Sequence, residues 1–117
     1  MKVLTLAFLT ILLTTFAFAS ENSQRQALQK CRHEAALFFQ NHGPRSTDMR
    51  RGIQGKGKYI EAGTPIKNQF GKTVAQYDWD VLCYRGVGSE HSGWFEVAIT
   101  INPYDCSVYG QFHVYSE

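Results

Sequence analysis

The sequence has little excess of positive over negative charge. The chain has 12 Lys and Arg residues against 10 Asp and Glu residues, so its formal net charge is +2. A protein that binds nucleic acid through its backbone needs a strongly basic surface, because several phosphates must be neutralised together. The composition therefore gives no strong nucleic-acid signal.

Metal-ligand spacings are also missing. The sequence has no Cys-x-x-Cys and no His-x-x-x-His, and its 4 His residues, at positions 33, 42, 91 and 113, are widely spaced. Zinc sites usually show such paired spacings. We therefore expect neither a metal nor another cofactor.

Only one long apolar run occurs, and it lies at the start of the chain. Lys2 precedes an almost wholly apolar stretch, and Ala17-Phe18-Ala19 has the small-x-small form that signal peptidase accepts. This order is typical of a secretory signal peptide. A membrane anchor is the alternative, but the run is short for a span of about 20 residues and no cationic stop follows it.

The predicted organisation follows from this segment. We expect a signal peptide over residues 1–19, cleaved after Ala19 or alternatively after Ser20, and one domain over residues 20–117. The protein would then lie in the periplasm or outside the cell, with no transmembrane segment left after cleavage.

An odd number of cysteines is present, which predicts one disulfide and one remaining thiol in an exported protein. Cys83 and Cys106 are expected near opposite ends of the sheet, too far apart for the roughly 7 Å limit between paired Cα atoms. Cys31 lies on the inward stripe of the helix described next. We predict a Cys31–Cys106 disulfide, with Cys31–Cys83 as the alternative.

A helix is predicted over residues 23–42. Its apolar positions recur at helical spacing, and they are Ala27, Leu28, Cys31, Ala35, Phe38 and Phe39. Ser23 with Gln26 fits a capping box at the start. Gly43-Pro44 ends the pattern, because Pro cannot continue the hydrogen-bond ladder. Residues 43–58 are predicted to be a loop.

Alternating patterns predict strands beyond that loop. A first strand is expected over residues 58–62, and three clearer strands run from Tyr77, from Trp94 and from Val108. We place Trp79, Cys83, Phe95, Val97, Ile99, Ile101, Val108, Phe112 and Val114 on one apolar face. The register pairs Cys83 with Phe95, Ile101 with Val108, and Val97 with Phe112.

The predicted fold class is α+β, with one long N-terminal helix packed on a three- to four-stranded antiparallel meander sheet. This element order resembles the cystatin-like architecture, a helix against a curved antiparallel sheet. The resemblance is one of element order only. The loop at 86–93 reads GVGSEHSG, without the glutamine-rich motif of inhibitory cystatins, and their second-hairpin Pro-Trp is absent, so protease inhibition is not implied.

Three surfaces are candidates for binding another macromolecule, such as a protein or an envelope component. The first is the sheet face away from the helix, where Tyr84, Tyr109 and Tyr115 are predicted to point. The second is the polar loop around Glu90 and His91. The third is the basic segment with the following residues: Arg45, Arg50, Arg51, Lys56 and Lys58.

Each of these surfaces also has a purely structural interpretation. Tyr is a good strand former, glycines explain the polar loop as a bend, and basic residues often form a solvated loop. The sharper interpretation of the basic segment is a docking patch around Arg50 and Arg51 for an acidic partner.

A catalytic alternative uses Glu96, Arg85 and His113. The register above sets Glu96 opposite His113, and Glu as base, His as acid and Arg as phosphate clamp suit cleavage of RNA. A small secreted helix-plus-sheet chain ending soon after a His is similar in outline to microbial guanyl-specific ribonucleases. We favour a small exported non-enzymatic binding protein, with the ribonuclease-like hydrolase as the alternative.

Overall fold

The structure, a computed structural model, describes residues 2–42, 53–90 and 93–116, with side chains described for residues 21–41, 53–88, 93 and 95–116. Its elements in chain order are helix α1 (Lys2–His42) and strands β1 (Ile53–Ile60), β2 (Ile66–Lys67), β3 (Thr73–Ala75), β4 (Val81–Glu90), β5 (Gly93–Ile101) and β6 (Val108–Ser116). Strands β1, β4, β5 and β6 form an antiparallel sheet in that order, and β2 pairs with β3 separately. Helix α1 packs on the larger sheet, which confirms the predicted α+β class.

Helix α1 turns its predicted apolar stripe toward the sheet. Cys31, Ala35 and Phe39 are buried at intervals of four residues, with Leu28 and Phe38 packed beside them. Residues at this spacing lie on one side of a helix. The stripe inferred from the sequence is therefore confirmed.

The two ends of α1 compare differently with the sequence. The helix ends at His42, as the following Gly-Pro pair predicts. The predicted start at Ser23 is wrong, because α1 begins at Lys2 and runs through Ser23 without a break. The apolar run before Ser23 contains neither Gly nor Pro, so nothing in it interrupts helical hydrogen bonding.

The sheet face that α1 covers, here called the helix face, holds the main core. Its buried sheet residues are Leu82, Tyr84, Phe95, Val97, Ile99 and Ile101. The predicted orientation of strand β5 is therefore confirmed. Each of these large side chains contributes roughly 1.5–3 kcal/mol when it is fully removed from water.

The opposite face, here called the outer face, is also partly covered, which the sequence prediction missed. The chain between β1 and β4 folds back over it as the β2–β3 hairpin. A second buried cluster results, and its members are Ile60, Ile66, Val81, Cys83, Ala98 and Val114. The expectation of a single apolar face is therefore wrong.

The β4–β5 register differs from the predicted one. Cys83 lies opposite Thr100, and Phe95 lies opposite Gly88. Cys83 and Trp79 were placed on the helix face, but Cys83 belongs to the outer cluster and Trp79 precedes the strand with half its surface exposed. Alternation separates two sets of side chains, but it does not say which set meets the helix when both faces bury apolar groups.

The β5–β6 register is correct at one end and wrong at the other. Ile101 pairs with Val108 as predicted, but Val97 pairs with His113 instead of Phe112. The ladder shifts twice along β5, and each irregularity changes which residues of β6 share a face. Phe112 consequently lies opposite Ala98 of the outer cluster.

The predicted disulfide between Cys31 and Cys106 is confirmed, with 5.2 Å between the two Cα atoms. It joins α1 to the turn between β5 and β6. Cys83 is a buried free thiol. Cys83 cannot pair with Cys31 because it lies on the outer face, so the sheet itself separates the two residues. The prediction had instead excluded a Cys83–Cys106 bond by distance along the sheet.

Side-chain hydrogen bonds fix the chain segment that covers the outer face. Asp80 accepts from the Tyr59 hydroxyl at 2.6 Å and from the Ala62 amide at 2.8 Å, which holds the start of the segment near its end. At the hairpin tip, Gln69 donates its backbone N–H to the Val114 carbonyl at 2.7 Å and accepts from the Ser116 amide at 2.6 Å. Asp80 therefore fixes the two ends of the segment between β1 and β4, and Gln69 fixes the tip of the β2–β3 hairpin to β6.

Candidate functional site

The three residues of the catalytic alternative do not converge. Arg85 and Glu96 form an ion pair at 3.4 Å on the outer face. His113 pairs with Val97 and contacts the Phe95 ring, which places it on the helix face. The prediction that Glu96 faces His113 is therefore wrong, because the register irregularity in β5 sets Glu96 opposite Tyr115.

Tyr84 is not a surface residue. It is fully buried against α1, and its hydroxyl donates to the Leu28 carbonyl at 2.5 Å. Burial raises the pKa of Tyr84 to about 12, because the phenolate would lose its hydration. The prediction of an outward binding role for Tyr84 is wrong because β4 is turned the other way: Leu82 and Tyr84 face the helix, and Cys83 faces outward.

The other two predicted tyrosines are exposed. Tyr109 and Tyr115 each keep 40 % of their surface accessible. Tyr109 belongs to an aromatic cluster with Tyr77 and Trp79, whose ring centroids lie 5.6–5.9 Å apart. The Tyr77 hydroxyl shares a 2.7 Å hydrogen bond with Thr100, which anchors this cluster to β5. A contact role for Tyr109 and Tyr115 stays a prediction.

The polar stretch between β4 and β5 is shorter than predicted. Strand β4 continues to Glu90 and β5 begins at Gly93, and these two residues pair. Gly86 serves close packing here instead of a bend, because a Cβ at this position would lie 2.8 Å from the Phe39 ring. His91 lies outside the described residues, as does the Glu90 side chain, so their contact role stays a prediction.

A groove of about 440 Å³ opens on the outer face, and we call it the cationic groove. One wall is β1 from Gln54 to Ile60, the other is the segment 64–67, and β4 contributes Cys83 and Arg85. Its volume lies within the roughly 300–1,000 Å³ typical of ligand pockets.

Positive charge dominates this groove. Among the described residues that line it, four are cationic and none is acidic; the four are Lys56, Lys58, Lys67 and Arg85. Like charges gathered in one concavity raise the local concentration of anions. The groove is therefore suited to carboxylate or phosphate groups.

The local sequence explains how β1 forms this wall. Gly55 and Gly57 have φ angles of 76° and 82°, a region that L side chains rarely adopt, and the β1–β4 ladder is irregular between Gln54 and Lys58. Gly57 also allows the Tyr84 ring to approach, since a Cβ there would lie 2.6 Å from it. The irregularity ends at Lys58, which lies opposite Cys83.

Two electrostatic features modify the groove. Glu96 pairs with Arg85 and neutralises part of its charge, but the pair is solvent-accessible and weakly held. Burial raises the pKa of the Cys83 thiol, although the nearby Arg85 and Lys58 act in the opposite direction. Cys83 is therefore a neutral thiol at neutral pH and supplies an apolar base to the groove.

The sequence pointed to part of this site. Lys56 and Lys58 belong to the basic segment proposed as a docking patch, but they lie on β1 and not in a loop. Gly55 and Gly57 are poor strand formers, so the sequence did not predict a strand at these positions. Lys67 was missed because nothing local links it to β1, and only the fold-back brings it there. Arg50 and Arg51 lie outside the described residues.

No group of three His, Cys, Asp or Glu side chains within the described residues is arranged to hold a metal ion. Likewise, in the part of the chain that the structure describes, no helix has both the length and the apolar character needed to cross a bilayer. No protein-family model, no curated protein and no solved structure matches the chain. The functional inference therefore depends on the groove itself.

Proposed function

We propose that this chain is an exported, non-enzymatic binding protein that contacts an acidic protein partner through the cationic groove. The observation that carries the proposal is the convergence of four cationic side chains on one concavity whose described lining has no carboxylate. Surface charge of one sign steers an oppositely charged partner and sets its orientation.

The position of the groove supports a contact role. Helix α1 and the disulfide lie on the other side of the sheet, so a partner can reach the groove without disturbing the main core. Two cationic residues of the groove, Lys56 and Lys58, belong to the basic segment that also contains Arg50 and Arg51. A partner bound at Lys56 and Lys58 would therefore lie only a few residues along the chain from Arg50 and Arg51.

Export is supported by two independent features. The N-terminal order of Lys2, an apolar run and Ala17-Phe18-Ala19 fits a signal peptide, and the Cys31–Cys106 disulfide is of the kind that persists in oxidising compartments. Cleavage after Ala19 would spare the described α1 residues of the core, which begin at Ala27. N-terminal sequencing of the protein recovered outside the cytoplasm should then begin at Ser20, and an intact N-terminus there would contradict export by cleavage.

The binding proposal is tested by capture of partners from the compartment in which the protein resides. We expect the wild-type protein to retain an acidic protein that the Lys58→Glu/Lys67→Glu variant fails to retain. Lys72→Glu is the matched control, because this exposed lysine is not among the residues that line the groove. Equal retention by all three proteins, or loss only with Tyr109→Ala, would move the contact away from the groove.

The alternative of a ribonuclease-like hydrolase is tested by an RNA cleavage assay. Purified wild-type protein and His113→Ala should both leave RNA uncleaved. RNA cleavage that disappears in His113→Ala would contradict the proposal, even though Glu96 and His113 lie on opposite faces of the sheet.

A further inference from the structure

The base of the cationic groove is apolar, and this feature narrows the chemistry of what binds there. Ile60, Ile66 and Cys83 line it and belong to the buried outer cluster. The cationic groups extend from positions around this base. These residues keep only narrow exposed edges, at 8 %, 5 % and 7 % of their surfaces. A ligand that carried only charge would meet the lysine and arginine groups but would place no apolar group of its own against this base.

We infer that the groove recognises a short acidic peptide segment in which one apolar side chain is flanked by Asp or Glu. This inference rests on the function proposed above and specifies the partner's contact segment. The flanking carboxylates would pair with Lys56, Lys58 and Lys67, and with Arg85 in competition with Glu96. The apolar side chain would be buried against the exposed edges of Ile66 and Cys83.

The different contributions of ion pairs and of apolar burial to affinity support this choice of ligand. Exposed ion pairs add little net affinity, typically below about 1 kcal/mol each, so four accessible cations alone give weak, salt-sensitive binding. An apolar side chain removed from water adds affinity that salt does not screen. The neutral Cys83 thiol favours such a group, since burial raises its pKa and keeps charge out of the base.

The wall from Thr64 to Lys67 gives the groove a shape that suits a peptide side chain better than it suits a ligand with a flat surface. Pro65 and Ile66 stand on one side of the groove and β1 on the other, so the concavity is bounded by two chain segments. A bilayer of anionic lipid presents charge over an extended plane and would leave much of this concavity unfilled, whereas one peptide side chain can extend into it. We therefore assign the site to peptide.

The test uses the full-length purified protein and three end-capped synthetic peptides, Glu-Glu-Leu-Glu-Glu, Glu-Glu-Gln-Glu-Glu and Gln-Gln-Leu-Gln-Gln. Affinity is measured by calorimetry at two salt concentrations. We expect the first peptide to bind at least roughly tenfold more tightly than the second, which corresponds to about 1.4 kcal/mol, and the third to bind most weakly. Lys67→Glu should weaken both acidic peptides, whereas Ile66→Ala should reduce the preference for Leu.

Cys83 provides a second readout at the base of the groove. The NMR signal of its amide should shift when the leucine peptide is bound, and Lys72→Glu should behave like the wild type. Circular dichroism of each variant verifies that it is folded.

The outcomes separate the two levels of the proposal. Equal affinity for the two acidic peptides would overturn the apolar requirement while leaving an acidic partner in place. Failure of both acidic peptides to bind, with unchanged folding, would count against the acidic partner itself. Tighter binding to phosphatidylglycerol vesicles than to the leucine peptide, lost in Lys58→Glu/Lys67→Glu, would replace peptide by a lipid surface.

Discussion

The two faces of the sheet differ in how they are closed. The helix face is sealed by α1, held by the Cys31–Cys106 disulfide, and includes fully buried Tyr84. The outer face is covered only in part by a short hairpin, and it leaves Trp79 half-exposed and the cationic groove open. One face therefore supplies stability, and the other supplies accessible chemistry.

The largest difference between the faces should appear when a tyrosine is truncated. Tyr84→Ala removes a fully buried ring and should lower the free energy of unfolding by about 3–5 kcal/mol, as for other large aromatic truncations. Tyr109→Ala removes an exposed ring from the aromatic cluster and should cost about 1 kcal/mol. Urea denaturation measures both, and similar losses for the two variants would mean that the faces do not differ as described.

The disulfide should rank next. Replacing Cys31 and Cys106 together by Ser opens a loop with a sequence separation of 75 residues and should lower the free energy of unfolding by about 2–5 kcal/mol. Cys83→Ala is the control on the outer face and should cost about 1 kcal/mol, because it removes one buried sulfur without breaking a cross-link. A larger loss for Cys83→Ala would contradict the assignment of the bond.

Particular residues show why the sequence predicted one face better than the other. The α1 stripe is correct because the helix packs on one apolar layer. The orientation of β5 is correct because its large buried apolar residues all fall on one face, with only the small Ala98 in the outer cluster. Strand β4 carries apolar residues on both faces, so Leu82 and Cys83 gave no sign of which one meets the helix. The outer cluster depends on Ile66 of the β2–β3 hairpin, whose strands are too short for alternation to show.

The candidate site was less predictable than the fold for a related reason. Lys58 and Lys67 are separated by a turn, and Arg85 is remote from both in sequence. Their meeting depends on the β1–β4 register and on the fold-back of the hairpin, which are tertiary features. The disulfide prediction used the inward position of Cys31, which is confirmed, and a position of Cys83 at the far end of the sheet, which depended on the incorrect β4–β5 register.

Two glycines of β1 sharpen the comparison at the level of single contacts. Gly57→Ala places a Cβ 2.6 Å from the Tyr84 ring at a φ of 82°, so steric overlap adds to backbone strain. Gly55→Ala has a similar φ of 76° but open space around it, and should cost about 1 kcal/mol from the backbone alone. We expect Gly57→Ala to be at least about 1 kcal/mol more destabilising by thermal denaturation. Equal effects would show that Tyr84 adjusts freely.

Alkaline pH should act mainly through the helix face. The pKa of Tyr84 is raised from 10.0 to about 12, so its contribution to stability is full below pH 10 and is lost as the pH rises toward 12. Tyr84→Phe should therefore show a smaller fall in urea midpoint between pH 9 and pH 11 than the wild type. Tyr109→Phe serves as the outer-face control. A wild-type slope in Tyr84→Phe would contradict a buried neutral hydroxyl.

The smallest stability effect and the largest binding effect should coincide in the cationic groove. Lys58→Glu/Lys67→Glu alters exposed side chains and should change the free energy of unfolding by no more than about 0.5 kcal/mol for each substitution. Its loss of partner binding would then be attributable to charge. A destabilisation comparable to that of Tyr84→Ala would make the binding result uninterpretable as electrostatics and would contradict the division between the faces.

The division between a stabilising face and a contact face is tested most directly by an NMR titration of the purified protein with the Glu-Glu-Leu-Glu-Glu peptide. We predict that amide shifts concentrate at residues 54–58, 64–67 and 83–85 and leave α1 residues 27–39 nearly unchanged. Shifts centred on Tyr77, Trp79 and Tyr109, or on α1, would contradict the assignment of binding to the cationic groove.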